Sequence, residues 1–358
     1  MRPPTLTIAV LGAGNLGLAQ AGHLALLGHR VRLWNRSPQR LGALRSGNPL
    51  RLHGVIDGEA SLELCGTDLT ATVEGADLIF VDVPASAHAA LAASLAVALP
   101  RHSRALLLLH PGQTFGARHL AQAMGPAAFP NLTLGELQTA LYTSRSAGPG
   151  ETTVLALKRR VAVASYPANQ AERLAPLRVL YPQLFAAPST LHTALSNVQS
   201  FIHPAVCLFN LTRIENGERF RIYREGLSTA VGECFERCDV ERLAVARALS
   251  LDVPTAAQWF GLCYGVQAGS AIEAMQQVAA YDDLLGPADL ATRLLWEDVP
   301  TGLLPLVELA RSLGVLAPAL SGLLAVALAV GGGELGRGWT LDHLGLSGLP
   351  ASEILNAF

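Results

Sequence analysis

Through the first half of the chain, short, mainly apolar runs alternate with stretches in which apolar residues recur every third or fourth position. The runs fall at 6–12, 30–34, 77–83, 105–110 and 132–137. A strand that is apolar at successive positions has both faces covered, so these runs predict a parallel sheet sandwiched between helices. Leu16–Leu27 and Ala87–Leu99 carry the helical spacing between them. After about residue 140 the pattern changes. The turns Gly148-Pro149-Gly150 and Lys158-Arg159-Arg160 separate β-rich pieces and predict antiparallel strands that extend the sheet. From about residue 189 the spacing is helical, punctuated by prolines at 204, 254, 287, 300, 305, 318 and 350. A boundary is expected within "FAAPST" (185–190). It divides the chain into an α/β unit with extra β-strands, residues 1–187, and an all-α unit for substrate binding and dimerisation, residues 188–358.

Composition narrows the function classes. Charged residues are 15% of the 358 and hydrophobic residues 50%, so much apolar surface has to be hidden in cores or at a subunit interface. A net charge of −2 gives no electrostatic basis for binding nucleic acid or an anionic membrane. Residues 312–333 carry no charge, but Pro318 leaves about 13 helical residues, roughly 20 Å against the ~30 Å of a bilayer core. This segment reads as a buried or interface helix of a homodimer, not a membrane span. The early apolar run leads into a glycine cluster rather than a cleavage site. Five irregularly spaced cysteines fit a reducing compartment, so a cytoplasmic location is expected. Cys234 and Cys238 lie four apart on a helix with no second ligand pair, so no metal site is expected. No P-loop, nucleophile elbow or H-E-x-x-H motif occurs.

The sharpest local signal is Gly12, Gly14 and Gly17, a G-x-G-x-x-G that ends the first strand and opens the first helix. Gly12 permits the turn, Gly14 the approach of a pyrophosphate, and Gly17 the packing of helix on strand. Together with Asn15 and Leu16, these residues would present helix N-terminal N–H groups to a dinucleotide. The expected fold is therefore an α/β Rossmann-type dinucleotide-binding domain followed by an all-α C-terminal domain. After the second strand stand Asn35, Arg36 and Ser37, with no carboxylate to hold the ribose hydroxyls of NAD. Arg36 can pair with a 2′-phosphate and Asn35 or Ser37 can donate to it, which makes NADP(H) the preferred cofactor and NAD(H) a possible one. Pro84, in the loop "VPASAH" (83–88), is expected near the nicotinamide ribose, with His88 as a helix-start histidine near phosphate and, in the alternative, a rival base.

A histidine followed by proline, His203-Pro204, interrupts the apolar stretch "SNVQSFIHPAVCLFN". Together with Y-x-E-G at Tyr223–Gly226, D-x-E-R at Asp239–Arg242 and E-D-x-x-x-G-L at Glu297–Leu303, it resembles the helical domain of the opine dehydrogenases, the octopine/nopaline dehydrogenase family. The N-terminal "GAGNLG…AGHLALLGH" is similar to that family too. The resemblance implies an NAD(P)H-dependent reductive condensation between the amino group of an amino acid and a 2-keto acid, usually pyruvate, to give a secondary amine dicarboxylate. It implies His203 as the acid/base, Asp298 as its partner and Arg293 as the anchor for the keto-acid carboxylate. The chemistry agrees: an imidazole both gives and takes a proton near neutrality, and a carboxylate behind it fixes its tautomer. Pro204 is expected to open the backbone where the ring must be accessible. Arg293 and Asp298, five residues apart, cannot share one face of a regular helix, so a break is expected between them.

Gln113 follows a strand and is expected to reach substrate from the sheet's carboxyl edge. Glu136 and Thr139 match substrate-contacting positions of the family. Trp259 and Tyr264 resemble positions near its amino-acid pocket, although an aromatic pair at that spacing equally forms core. The expected arrangement has substrates between the two domains, whose closure assembles the site. Two alternatives stand beside it, an NADPH-dependent 2-keto acid reductase giving a hydroxy acid and a non-catalytic NADPH-sensing protein.

Overall fold

The computed structural model describes residues 4–125 and 129–358. The chain forms two compact units, one of residues 1–112 and 116–190, the other of Gln113–Phe115 and Leu191–Phe358. The main division thus falls at Thr190/Leu191, and three residues from the first half belong to the second unit.

The first unit contains twelve strands among the described residues: β1 (Thr7–Leu11), β2 (Arg30–Trp34), β3 (Leu50–Gly54), β4 (Gly58–Ala60), β5 (Leu64–Gly66), β6 (Leu78–Val81), β7 (Leu106–Leu109), β8 (Thr133–Leu137), β9 (Tyr142–Gly148), β10 (Glu151–Leu157), β11 (Val161–Tyr166) and β12 (Leu184–Ala186). Eight of them form one sheet in the order β12-β11-β8-β7-β6-β1-β2-β5. Its centre is parallel, and the register aligns Leu11 with Trp34 and Val81, Val81 with Leu109, and Leu109 with Glu136. The carboxyl ends of β1, β2, β6, β7 and β8 therefore share one edge, where ligands of such sheets bind. Alternation along the strands fills two cores. Ile8, Val10, Phe80 and Leu108 point into one, and Ala9, Leu11, Ile79, Val81 and Leu107 into the other. The mainly apolar runs of the sequence are the mark of this double burial.

One sequence expectation is corrected. The hairpin β9–β10 forms antiparallel about Gly148 and Gly150, but it joins β3 and β4 in a separate sheet ordered β4-β3-β10-β9. Only β11 extends the main sheet in antiparallel fashion, on β8. The partner strands lie in 50–60, where runs of three to five residues around Gly54 and Gly58 are too short to show a period. The small sheet covers the helix Asn15–Leu26, where a Cβ on Gly22 would come within 2.3 Å of Leu52 Cδ1.

The second unit is helical. Its centre is the helix Gln199–Leu208, in which every residue from Ser200 to Leu208 is buried. Against the expectation of an opened backbone, this helix runs through Pro204 without interruption. Proline removes one intrahelical hydrogen bond, but burial of nine consecutive side chains outweighs that loss. The longest helix, Thr229–Ala248, is fixed by a buried pair: Arg242 Nε donates to Asp239 Oδ1 at 2.9 Å, Arg242 Nη2 donates to the Pro254 carbonyl at 2.7 Å, and Asp239 Oδ2 accepts from Ala256 N at 2.8 Å. The D-x-E-R motif is thus a staple between helices. The uncharged segment forms the helix Pro318–Val330, 13 residues long, burying Leu320, Leu323, Leu324 and Ala327 while Val326 and Val330 stay exposed. Among the described residues no helix is long and apolar enough to cross a membrane.

Candidate active site

His203 stands on the central helix of the second unit, and Asp298 follows a short helix, Arg293–Trp296, just before a wide π-type turn, Val299–Leu303. The turn packs on the central helix because Gly302 lacks a side chain: a Cβ there would sit 3.1 Å from Ser200 Cβ. That approach brings Asp298 Oδ2 to 2.8 Å from His203 Nδ1. Asp298 is 1% exposed and His203 6%, and Nε2 of the ring has no hydrogen-bond partner among the described residues. The carboxylate accepts from Nδ1–H, which leaves Nε2 as the atom that can exchange a proton with a bound molecule. One turn further on, Cys207 is buried and its thiol is pushed up to about 12, first by desolvation and then by the charge of Asp298. It remains a neutral thiol at physiological pH and is no competing nucleophile.

The break expected between Arg293 and Asp298 is present, since the short helix ends at Trp296 and the π-type turn follows. Arg293 is 59% exposed on its side chain and lies 3.6 Å from Glu297 Oε2. Desolvation opposes its charge, and the carboxylates of Glu297 and Asp298 more than offset that, so the guanidinium stays ionised. Gln113, in left-handed backbone at φ 55°, lies in the same unit. Its Nε2 is 3.3 Å from both Glu297 Oε1 and Asp298 Oδ1, and its Oε1 accepts from Asn197 Nδ2 at 3.0 Å. His203, Asp298, Arg293 and Gln113 thus form one cluster. Glu297 and Asn197 belong to it as well; both lie inside stretches quoted from the sequence, E-D-x-x-x-G-L and SNVQSFIHPAVCLFN, but neither is among the residues expected at the site.

In the first unit the glycine turn has the shape a dinucleotide requires. Gly12 has φ 126°, and a Cβ on it would meet the Asp82 carbonyl oxygen at 2.5 Å. A Cβ on Gly17 would sit 1.8 Å from the Gly12 oxygen, whereas Gly14 opens on space with nothing within 4 Å. No side chain caps the helix Asn15–Leu26 and no acidic residue sits in its first turn, so its N–H groups and positive dipole end are available to a phosphate. Leu16 is half-buried there, and Asn15 is turned aside, its Oδ1 accepting from Ser146 N at 2.9 Å. Asn35 is also engaged: Oδ1 accepts from Ala13 N and Nδ2 donates to the Ser37 carbonyl, each at 3.0 Å. Asn35 therefore shapes the turn, while Arg36 beside it is exposed and Ser37 half-buried. Pro84 opens the short turn Ala85–Ala87. His88 is fully buried and pushed down to about 3, mainly by desolvation with a further push from His119, which suits a neutral packing residue.

Beneath this turn lies a polar layer that the sequence did not reveal. His110 Nε2 accepts from Leu141 N at 2.7 Å, so Nδ1 carries the proton and donates to Asp82 Oδ1 at 2.8 Å. Burial raises the Asp82 carboxyl above its ordinary value, with His110 acting against it. Tyr142 and Tyr181 share a hydrogen bond at 2.8 Å, extended to His23 at 2.9 Å and to Gln20 at 2.8 Å.

Glu136 and Thr139, expected at substrate, have protein partners in the first unit. Glu136 is fully buried and its Oε2 accepts from Ala117 N at 2.9 Å, in the first turn of the helix Gly116–Met124. Thr139 Oγ1 accepts from the buried Lys158 Nζ at 2.8 Å. Trp259 is fully buried, edge-on to Phe260 at 4.9 Å, and Tyr264 shares a hydrogen bond with Tyr281 at 3.0 Å, so both belong to an aromatic core. Among the described residues no group of three or more metal-binding side chains occurs.

A family model described as NAD/NADP octopine/nopaline dehydrogenase, alpha-helical domain, matches residues 186–330. One described as NAD-dependent glycerol-3-phosphate dehydrogenase N-terminus matches residues 7–113. The chain is 37% identical over 354 residues to an opine dehydrogenase of Arthrobacter sp. (strain 1C), with 98% of each chain covered. It is 31% identical over 363 residues to the protein ocs of Agrobacterium tumefaciens (strain Ach5), again with 98% of each covered. Among solved structures, octopine dehydrogenase with NADH and L-arginine superposes with a TM-score of 0.79 at 21% identity, over 99% of this chain and 98% of that one. Yersinopine dehydrogenase with NADP+ bound superposes at 0.68 and 17% identity, over 99% and 97%. At these identities the structural likeness bears on the fold.

Proposed function

As the chain belongs to the opine dehydrogenase family of NAD(P)-dependent oxidoreductases acting on CH–NH donors, we propose that it condenses an amino acid with a 2-keto acid, pyruvate foremost, and reduces the imine to a secondary amine dicarboxylate. The observation that carries this reading is the buried His203–Asp298 pair at 2.8 Å with Arg293 five residues from the aspartate. Arg293 holds the keto-acid carboxylate through its planar fork, and Glu297 yields that contact as the substrate arrives. His203 Nε2 takes the proton that the amino group sheds as it attacks the carbonyl, and the imidazolium so formed gives that proton to the departing hydroxyl, so that water leaves and the imine forms. Asp298 stabilises the charged ring and returns it to the same tautomer afterwards. The nicotinamide cofactor, when bound, supplies the hydride that reduces the imine carbon.

For that cofactor the turn Gly12–Gly17 holds the pyrophosphate, with Asn15 and Leu16 at the helix start and Pro84 beside the ribose. NADP(H) is preferred, because the loop after β2 offers Arg36 and Ser37 and no carboxylate. We also propose a cytoplasmic homodimer. The free thiols of all five cysteines support the compartment, and the exposed apolar Leu316, Val326 and Val330 support the interface. Light scattering of the purified chain reads its mass directly, and a monomer removes the dimer.

The test is a panel of amino acids against 2-keto acids with NADPH and NADH, followed by mass measurement of the product. Amine-dependent oxidation of NADPH is expected, with a product equal to the two substrates less water plus two hydrogens. Turnover that needs no amine and gives a hydroxy acid makes the protein a keto-acid reductase instead.

A further inference from the structure

A closed circuit of hydrogen bonds runs from the start of the His203 helix back to the imidazole. Asn197 Oδ1 accepts from Gln199 N at 3.1 Å, in the first turn of that helix. Asn197 Nδ2 donates to Gln113 Oε1 at 3.0 Å, Gln113 Nε2 reaches Asp298 Oδ1 at 3.3 Å, and Asp298 Oδ2 takes the proton on His203 Nδ1 at 2.8 Å. All four residues are at most 6% exposed, so water does not substitute for any link. The direction of every donor follows from the two ends. A backbone N–H can only donate, so Asn197 must turn its oxygen to Gln199. Carboxylates can only accept, so Gln113 must turn its nitrogen to Glu297 and Asp298. Reversing either amide would set donor against donor and oxygen against carboxylate.

We propose that Asn197 is a positioning residue that sets the polarity of this chain and, through Gln113 and Asp298, holds His203 in the Nδ1–H tautomer with Nε2 ready to act. Gln113 is thereby the link between Asn197 and the acid/base pair, and its left-handed backbone, unusual for a residue with a side chain, is the conformation that aims the amide. The role rests on the condensation reading of the site for its kinetic consequences but not for its geometry.

The decisive variants are near-isosteric. Asn197→Asp keeps an acceptor for Gln199 N and loses the donor to Gln113. The Gln113 amide then turns over and presents its oxygen to Asp298. Turnover falls by about 10- to 100-fold, while the KM values and NADPH affinity stay within about threefold. Gln113→Glu produces the same loss from the other side and serves if the first variant does not fold. The double change Asn197→Asp with Asp298→Asn restores the links from position 197 to His203 in reverse, with only the Glu297 contact left opposed, because the amide introduced at position 298 donates to the turned Gln113 and accepts from His203. Its activity exceeds that of Asp298→Asn alone by about tenfold. Additive losses in the double variant, or an Asn197→Asp enzyme with wild-type turnover, overturn the proposal. The tautomer of His203, read from the nitrogen spectrum of 15N-histidine-labelled protein, needs no substrate. It is a single Nδ1–H form in the parent and a mixture in Asn197→Asp. An unchanged tautomer in Asn197→Asp overturns the proposal even if no substrate pair is ever found, whereas an inactive parent with the expected tautomer overturns only the functional reading.

Discussion

Replacing Asp298 by asparagine keeps the shape of the side chain and removes its charge and one acceptor. Asp298 receives two donors, His203 Nδ1–H on Oδ2 and Gln113 Nε2 on Oδ1. An asparagine has one acceptor oxygen, so one of these contacts must fail. If its amide nitrogen faces His203, the ring is driven to the Nε2–H tautomer and the free lone pair moves to the wrong nitrogen. If it faces Gln113, two N–H groups oppose each other in a buried site. Either way a hydrogen bond to a charged acceptor is lost, about 1.5–3 kcal/mol. At about 1.36 kcal/mol per decade this is about a 10- to 150-fold fall in turnover before any loss of imidazolium stabilisation. The assay is steady-state NADPH oxidation with a saturating amino acid and keto acid, beside fluorescence titration of the cofactor. Cofactor affinity should hold, since the glycine turn belongs to the other unit. A folded Asp298→Asn enzyme within twofold of the parent refutes the acid/base assignment.

Arg36→Asp places a carboxylate where a 2′-phosphate is expected, so the ratio of kcat/KM for NADPH over NADH should fall by at least about tenfold, and an unchanged ratio removes the argument from this loop. Arg242→Met strands the buried Asp239 carboxylate, which should cost about 3–5 kcal/mol and lower the melting temperature by roughly 6–20 °C in calorimetry. Melting within about 2 °C of the parent makes the staple dispensable. Burial pushes the His23 ring down to about 4. Its folded-state value is thus below the ordinary 6.5, the unfolded chain binds the extra proton, and stability is lost as pH falls from about 6.5 toward 4, by up to about 1.4 kcal/mol per unit. His23→Gln should flatten that slope in urea unfolding across this range, and an unaltered slope assigns acid sensitivity elsewhere.

How much was legible follows from the range of each signal. The central strands and the helix Asn15–Leu26 are written in local periodicity and in three glycines whose spacing only one backbone path accommodates, and they were readable directly. The small sheet was not, because β3 and β4 are held by cross-strand partners far along the chain rather than by their own pattern. Pro204 misled for a related reason: a local rule about proline in helices yields to tertiary burial, which no short window displays. In the site, His203, Asp298 and Arg293 were reached through a likeness of motifs. Asn197 draws no notice in the sequence, and Glu297 enters only as the first residue of a motif, because an asparagine or glutamate acquires meaning only from what it faces. Glu136 and Thr139 were likewise reached only through the likeness of motifs, and the protein partners of Glu136 Oε2 and Thr139 Oγ1 could not be read from the sequence.

The imidazole and its carboxylate are separated by 95 residues. During synthesis, the nucleotide fold has all its strands before the second of these groups has left the ribosome, and domains generally acquire structure from the amino end onward. A nascent or truncated chain could therefore carry cofactor with no means of moving a proton. Turnover then reports completion of the carboxyl-terminal third, and comparing nucleotide binding with activity during refolding would time the two halves separately.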